Sequence, residues 1–138
     1  MPTAMPRTPA TPAPAPARRR AAAPRPELRW RMRISLGEVN AIGPGKVALL
    51  EAVDQHHSIS AAAKALGMSY RRAWLLIDEL NRSLKAPAVT TAAGGSGGGG
   101  TLLTEVGHRI LALYRGIETQ AEQACQAEIE QLLALVAR

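Results

Sequence analysis

Ser58 to Leu84, SISAAAKALGMSYRRAWLLIDELNRSL, is the stretch whose reading decides the fold. It reads as a short Ala-rich helix, a turn at Gly67-Met68-Ser69 and a longer helix that opens with Tyr70-Arg71-Arg72. The small side chains of Ala62 and Ala63 let two helices approach closely at their crossing. Gly67 can take the left-handed conformation that ends the first helix without a Cβ penalty. Ser69 is placed to N-cap the second helix with its hydroxyl. Two helices joined in this way form a helix-turn-helix, whose second helix enters a DNA major groove.

The second helix is oriented by counting about 100° per residue. Ala73, Leu76, Ile77, Leu80 and Leu84 fall on one face and are expected to pack on the helices before it. Arg71, Leu75, Asp78 and Arg82 lie opposite. Arg71 and Arg72 occupy the first turn, where the helix dipole slightly disfavours a cation. That local cost points to selection for another purpose, because the N-terminal turn of such a helix touches base edges. Arginine offers a bidentate fork to guanine O6 and N7, and an exposed Leu75 can meet a thymine methyl. Tyr70 suits packing or a phosphate contact equally well, Trp74 reads as a partly buried flank, and Asp78 with Arg82 reads as an i,i+4 surface pair. Ser58 and Ser60 at the start of the first helix, with Ser69, Tyr70, Arg71, Arg72, Leu75 and Arg82, make up the candidate DNA-binding set.

Beyond this pair comes Val89-Thr90-Thr91, then AAGGSGGGG over 92–100, then Thr101-Leu102-Leu103-Thr104. Two β-type segments flanking a glycine-rich loop read as a hairpin with a long tip. A hairpin just after the second helix is a wing. Its candidate residues are Thr91, Gly94, Gly95, Ser96, Gly97, Gly98, Gly99, Gly100 and Thr101, where glycines let backbone N–H groups approach phosphates. A flexible linker is the competing reading of such a run. A phosphate-binding P-loop is disfavoured because no Gly-Lys-Ser/Thr closes it.

SISAAAKALGMSYRRAWLLIDELN followed at this distance by GSGGGGTLLTEVGHRILALY resembles the DNA-binding domain of ModE-type molybdate-responsive repressors. More distantly, the Ser-Ile-Ser-Ala-Ala-Ala helix and the Leu-Thr-x-x-Gly ending resemble the LysR-type winged helix. The resemblance covers roughly residues 28 to 120. It implies a sequence-specific transcription regulator, bacterial and cytoplasmic, bound to double-stranded DNA. Ser96 stands where the family's loop usually carries a basic residue. Molybdate-sensing members carry additional C-terminal β-barrels, and this chain stops at Arg138, so the molybdate site is expected to lie outside it.

The net charge of +6 is unevenly placed. Residues 1–33 hold eight arginines against one glutamate, a balance of +7, which leaves about −1 for the rest. An Arg-rich arm therefore precedes a near-neutral folded module. Residues 1–26 hold eight of the ten prolines and no apolar cluster. Such a segment cannot bury enough surface to offset its ordering entropy and is expected to be a disordered tail. The Arg18-Arg19-Arg20 run is not followed by an apolar stretch, which argues against a secretory signal. The prolines argue against an amphipathic transit helix. The tail reads either as a solubilising arm or as a source of salt-dependent phosphate contacts.

From residue 27 to 138 the chain reads as one domain. Leu28, Trp30, Met32, Ile34 and Leu36 alternate with Arg29, Arg31, Arg33 and Ser35, the period of a half-buried strand with a basic outer face. A second strand, Val39–Ile42, pairs with it across Gly37-Glu38. Gly43-Pro44-Gly45 is expected to turn, with Lys46–Asp54 starting the first helix and burying Val47, Leu50 and Val53. Thr104 is placed to cap one long helix over about 104–137. On it Val106, Ile110, Leu113, Ile117, Ala121, Ala124, Glu128 and Leu132 share a stripe that Tyr114, Cys125 and Ile129 widen. Thirty such residues reach about 45 Å, longer than the domain needs, so the helix predicts a homodimer seam. The alternative is a helix interrupted near Gly116 that folds back on Lys46–Asp54.

With one cysteine there is no internal disulfide framework, a composition that fits a reducing compartment. Cys125 reads as a small core residue, and no apolar run is long enough to span a bilayer. His56, His57 and His108 show no carboxylate pattern for a metal or catalytic site, and Glu122, Glu128 and Glu130 read as solvated charges. The expectation is therefore no enzyme, no metal and no cofactor. The fold expected is α+β, mainly α: a winged helix-turn-helix with a short N-terminal β-hairpin and a long C-terminal helix. The function expected is DNA-binding regulation. A winged-helix protein-interaction module without specific DNA binding is the alternative, favoured by the near-neutral folded part and opposed by Tyr70-Arg71-Arg72.

Overall fold

Val47, Leu49, Leu50, Val53 and Leu80 lose essentially all contact with water, and the other elements are arranged around them. The computed structural model describes residues 23–92 and 100–136. In chain order these form β1 (Ile34–Leu36), β2 (Val39–Ile42), α1 (Pro44–His56), α2 (Ile59–Ala65), α3 (Tyr70–Ser83), β3 (Val89–Thr91), β4 (Thr101–Leu103), α4 (Glu105–Ala124) and α5 (Gln126–Val136). The core joins α1, α2 and α3 to the two wing strands through Leu49, Ala62, Ala73, Ile77, Val89 and Leu103. The architecture is a mainly helical winged helix-turn-helix with two small antiparallel strand pairs.

The helix-turn-helix forms as its residues dictate. Ser58 caps α2, its Oγ accepting the Ala61 N–H at 3.2 Å. Gly67 takes φ +67° just past the end of α2, the left-handed value that glycine reaches without strain. Ser69 caps α3, accepting the Arg72 N–H at 3.1 Å. Ala62 and Ala63 are buried in the same core cluster as Ala73 and Ile77 of α3. Of the predicted inner face of α3, Ala73, Ile77 and Leu80 are buried, and Leu76 and Leu84 pack partly against the core.

Four expectations are corrected. The predicted strand from Leu28 shrinks to β1. The ladder reaches only Leu36↔Val39, Ser35↔Asn40 and, across a register shift, Ile34↔Ile42, because the four residues of β2 offer no further partners. The stretch before it is tied instead to α4, where the Tyr114 hydroxyl donates to the Met32 carbonyl at 2.8 Å. Leu28, Trp30 and Met32 are partly buried between exposed arginines, whereas Ile34 and Leu36 are exposed by 51% and 61%. Second, Gly43-Pro44-Gly45 is not a free turn: Pro44 opens α1 behind an extended Gly43, since proline's fixed φ and missing N–H suit the first helical position.

Third, the C-terminal stretch is two helices. The chain runs helically through Gly116 and breaks at Cys125, whose φ and ψ are −110° and 19°. Fourth, Cys125 is exposed, not a core residue, because the stripe has by then run past the part of α4 that lies on α1. That contact carries Arg115 on Glu51 at 2.5 Å and His108 near Asp54 at 3.9 Å. No residue of α5 is buried. Among the described residues no helix is long and apolar enough to cross a membrane. Of the expected tail over 1–26, residues 1–22 lie outside the described residues.

Candidate nucleic-acid interface

Helix α3 presents its N-terminal half to solvent. Arg71 and Arg72 are exposed, as are Tyr70 (55%) and Leu75 (49%). Ser69, Arg71, Arg72, Leu75, Leu76 and Glu79 line one open concavity, so the two arginines and the exposed leucine are brought together. The first turn of α3 carries no acidic residue. Trp74 is 46% exposed, more than the flank position predicted, and borders a cleft with Ile59, Asn81, Val89 and Thr91. Arg82 sits farther along the same helix and is engaged by Asp78 at 3.0 Å, the i,i+4 pair read from the sequence. Ser60 is exposed at the start of α2, whereas the Ser58 oxygen is already used as a cap.

The wing strands pair antiparallel with Val89↔Leu103, Thr90↔Leu102 and Thr91↔Thr101. Backbone bonds Thr104 N–H to Ala88 O (2.9 Å) and Ala92 N–H to Gly100 O (3.0 Å) fix the alternation. Positions 89 and 101 are therefore ones whose N–H groups point away from the partner strand. Each outward edge is satisfied by another element. On β3, Asn81 of α3 accepts from the Ala88 and Val89 N–H groups (2.9 and 3.2 Å) and donates to the Val89 carbonyl at 3.0 Å. On β4, the Thr101 N–H donates to the His57 carbonyl at 2.9 Å. His57 holds this carbonyl in place from a left-handed conformation, φ 53°, as it ends α1. Of the candidate wing residues, Thr91 is exposed, Thr101 is buried and Gly100 is partly buried, whereas Gly94, Gly95, Ser96, Gly97, Gly98 and Gly99 lie outside the described residues.

The base of the wing is welded to α4. Thr104 caps that helix, accepting the Gly107 N–H at 3.2 Å and donating to the Pro87 carbonyl at 2.7 Å. Gly107 allows the approach: a Cβ there would meet the Ala88 carbonyl oxygen at 2.3 Å. Farther along, burial pushes the Tyr114 hydroxyl above its ordinary pKa, with Glu118 adding to the shift. Hydrogen bonds that Arg115 donates to Glu51 and Glu118 raise its pKa further above its already high value.

Three positioning residues escaped the sequence reading: Lys46, Asn81 and Gly107. Each breaks a local rule that, in hindsight, is the signal. Lys46 is a cation in a first helical turn, Asn81 a poor helix former inside a helix and Gly107 a glycine inside another. Among the described residues no group of three His, Cys, Asp or Glu side chains is placed to hold a metal ion.

The arrangement is that of a winged helix-turn-helix, and residues 45–108 match the family described as bacterial regulatory helix-turn-helix protein, lysR family. Over 102 residues the chain is 39% identical to the molybdenum transport protein ModE of Azotobacter vinelandii, covering 74% of this chain and 38% of that protein. It is 47% identical over 77 residues to the molybdenum-pterin-binding protein MopB of Rhodobacter capsulatus, covering 56% and 28%. It is 42% identical over 71 residues to the DNA-binding transcriptional dual regulator ModE of Escherichia coli (strain K12), covering 51% and 27%. The chain thus spans between about a quarter and two fifths of the length of these relatives.

Proposed function

We propose that this chain is a sequence-specific DNA-binding transcriptional regulator of the bacterial cytoplasm, in which α3 reads the major groove and the wing lies along the flanking backbone. The observation that carries this reading is the exposed, Ser69-capped start of α3, where Arg71, Arg72 and Leu75 line one concavity while Ala73, Ile77 and Leu80 seal the opposite face. Arg71 and Arg72 supply guanine-directed forks and Leu75 an apolar contact for thymine. Thr91 and the glycines at 94–100 supply hydroxyl and backbone donors for phosphates, whereas Thr101 is buried and its N–H is held by the His57 carbonyl. The related DNA-binding regulator in Escherichia coli supports the same reading.

We further infer a homodimer. Met32, Ile34, Ile42, Ile110, Leu113, Tyr114 and Ile117 line a wholly apolar groove of about 200 Å³, in which Leu113 and Ile117 are exposed by 58% and 49%. Farther on, α5 exposes Leu132, Leu135 and Val136. Apolar surface exposed on both C-terminal helices is what a second copy would cover. The experiment is binding of the chain to pooled genomic duplexes at two salt concentrations. Enrichment of discrete fragments that survives the higher salt supports regulation by sequence. Uniform capture that collapses with salt contradicts it, because phosphate contacts alone are strongly salt-dependent.

A further inference from the structure

Lys46 is buried where a lysine is least at home. It lies in the first turn of α1, a turn with no acidic residue, and only 4% of it reaches water. The helix dipole opposes a cation there, and a buried ammonium needs partners. It has two: Nζ donates to the backbone carbonyl of Asn40 in β2, and to Glu79 Oε1 in α3 at 2.5 Å. Glu79 is half exposed and borders the same concavity as Arg71, Arg72 and Leu75. It stands one turn from Leu75 and two turns from Arg71 and Arg72.

Farther along, α3 is seated by Ile77, Leu80 and Asn81, but toward its N-terminus the seat is smooth. Its first buried residue is Ala73, which shares the core cluster with Ala62 and Ala63 of α2. Alanines form no ridges deep enough to fix how a helix is turned about its own axis. A directional ion pair at the rim of the exposed face fixes it at this end, as the Asn81 hydrogen bonds to the wing do at the other. We propose that Lys46 is a positioning residue for base readout: through Glu79 it sets the rotation of α3 so that Arg71 and Arg72 project at one angle into the groove. This rests on the reading of α3 as the DNA-reading helix.

The two ends of the pair differ in a useful way. Losing Glu79 strands a buried charge, whereas losing Lys46 leaves Glu79 in water, where a carboxylate is satisfied. Lys46→Met in the full chain is therefore expected to keep its melting temperature within a few degrees. The test uses a duplex selected by the unaltered chain from random DNA, and an unrelated duplex of equal length. Lys46→Met is expected to lose roughly tenfold to a hundredfold in preference between them, in line with misplacement of a bidentate base contact. Affinity for the unrelated duplex and its salt slope stay unchanged, because the phosphate contacts are untouched. Lys46→Arg, which keeps the charge and the donors, restores most of the preference. A folded Lys46→Met with the original preference overturns the proposal. Should Lys46→Met fail to fold, Glu79→Gln, which keeps a neutral acceptor at the same reach, decides: a reduced preference supports the proposal and an unaltered one overturns it. If the unaltered chain itself selects no sequence, the reading of α3 fails and this proposal with it. Selection by the unaltered chain with no effect of either variant removes this proposal alone.

Discussion

Replacing Asn81 by alanine removes the side chain that satisfies the outward edge of β3 through three hydrogen bonds, at 2.9, 3.0 and 3.2 Å. Ala88 is fully buried and Val89 is 4% exposed, so water has little access to the N–H groups left behind. A buried donor without a partner costs about 1–3 kcal/mol. Two such donors, only partly rescued by relaxation, put the expected cost of Asn81→Ala near ~3 kcal/mol. In a domain of this size that lowers the melting temperature by roughly 12–20 °C. Asn81→Asp is the informative companion. It keeps the acceptor for both N–H groups, loses the single donor to the Val89 carbonyl and sets a carboxylate beside that oxygen, so about 1–2 kcal/mol is expected. Thermal unfolding followed by circular dichroism gives both values. Amide hydrogen exchange should speed up at Ala88 and Val89 in the alanine variant before it does so in α1. The reasoning is refuted if Asn81→Ala costs under ~0.5 kcal/mol, or if aspartate is as costly as alanine, since the account assigns most of the effect to the two orphaned donors.

Gly107→Ala should destabilise by about 2 kcal/mol in a denaturant titration despite alanine's better helix propensity, because the new methyl lands on the Ala88 carbonyl and the helix must back away. Alkaline titration should reveal Tyr114. Its folded pKa is raised, chiefly by burial, so its contribution to stability is complete below the ordinary value of 10.0 and is lost as pH rises beyond it. Tyr114→Phe should flatten the loss of stability above that pH, and an identical alkaline profile would contradict the assignment. Charged residues in place of Leu132 and Leu133 should shift the chain toward monomer in sedimentation at micromolar concentration and weaken operator binding with it. Dimers of unaltered strength would remove the C-terminal helices from the seam.

The helix-turn-helix was legible because its signals are local. Ser58, Gly67 and Ser69 act on backbone groups within three residues of themselves, and the face of α3 follows from helical period alone. The wing strands and the Thr104 cap were readable for the same reason. What the sequence hid depends on residues far apart in the chain. Lys46 meets Glu79 across 33 positions, and the Tyr114 hydroxyl reaches Met32 across 82. The overlong first strand is the same failure seen from the other side: alternation from Leu28 to Leu36 sets which faces differ, but the ladder ends where the partner strand ends. The break at Cys125 carries no glycine or proline to announce it, and Gly116, the residue that might have, is passed without interruption.

Whether α3 reads bases is tested most directly by selecting duplexes from random DNA with the unaltered chain and with Arg71→Ala side by side. The account predicts an imperfect palindrome for the unaltered chain, with half-sites about one helical turn, ~34 Å, apart. It predicts for Arg71→Ala the same spacing, with discrimination relaxed at one base pair per half-site and a loss of ~1–3 kcal/mol in affinity for the original sequence. Selection of one unchanged sequence logo by both proteins would contradict the orientation of α3, and no enriched sequence for the unaltered chain would contradict its assignment as the reading helix.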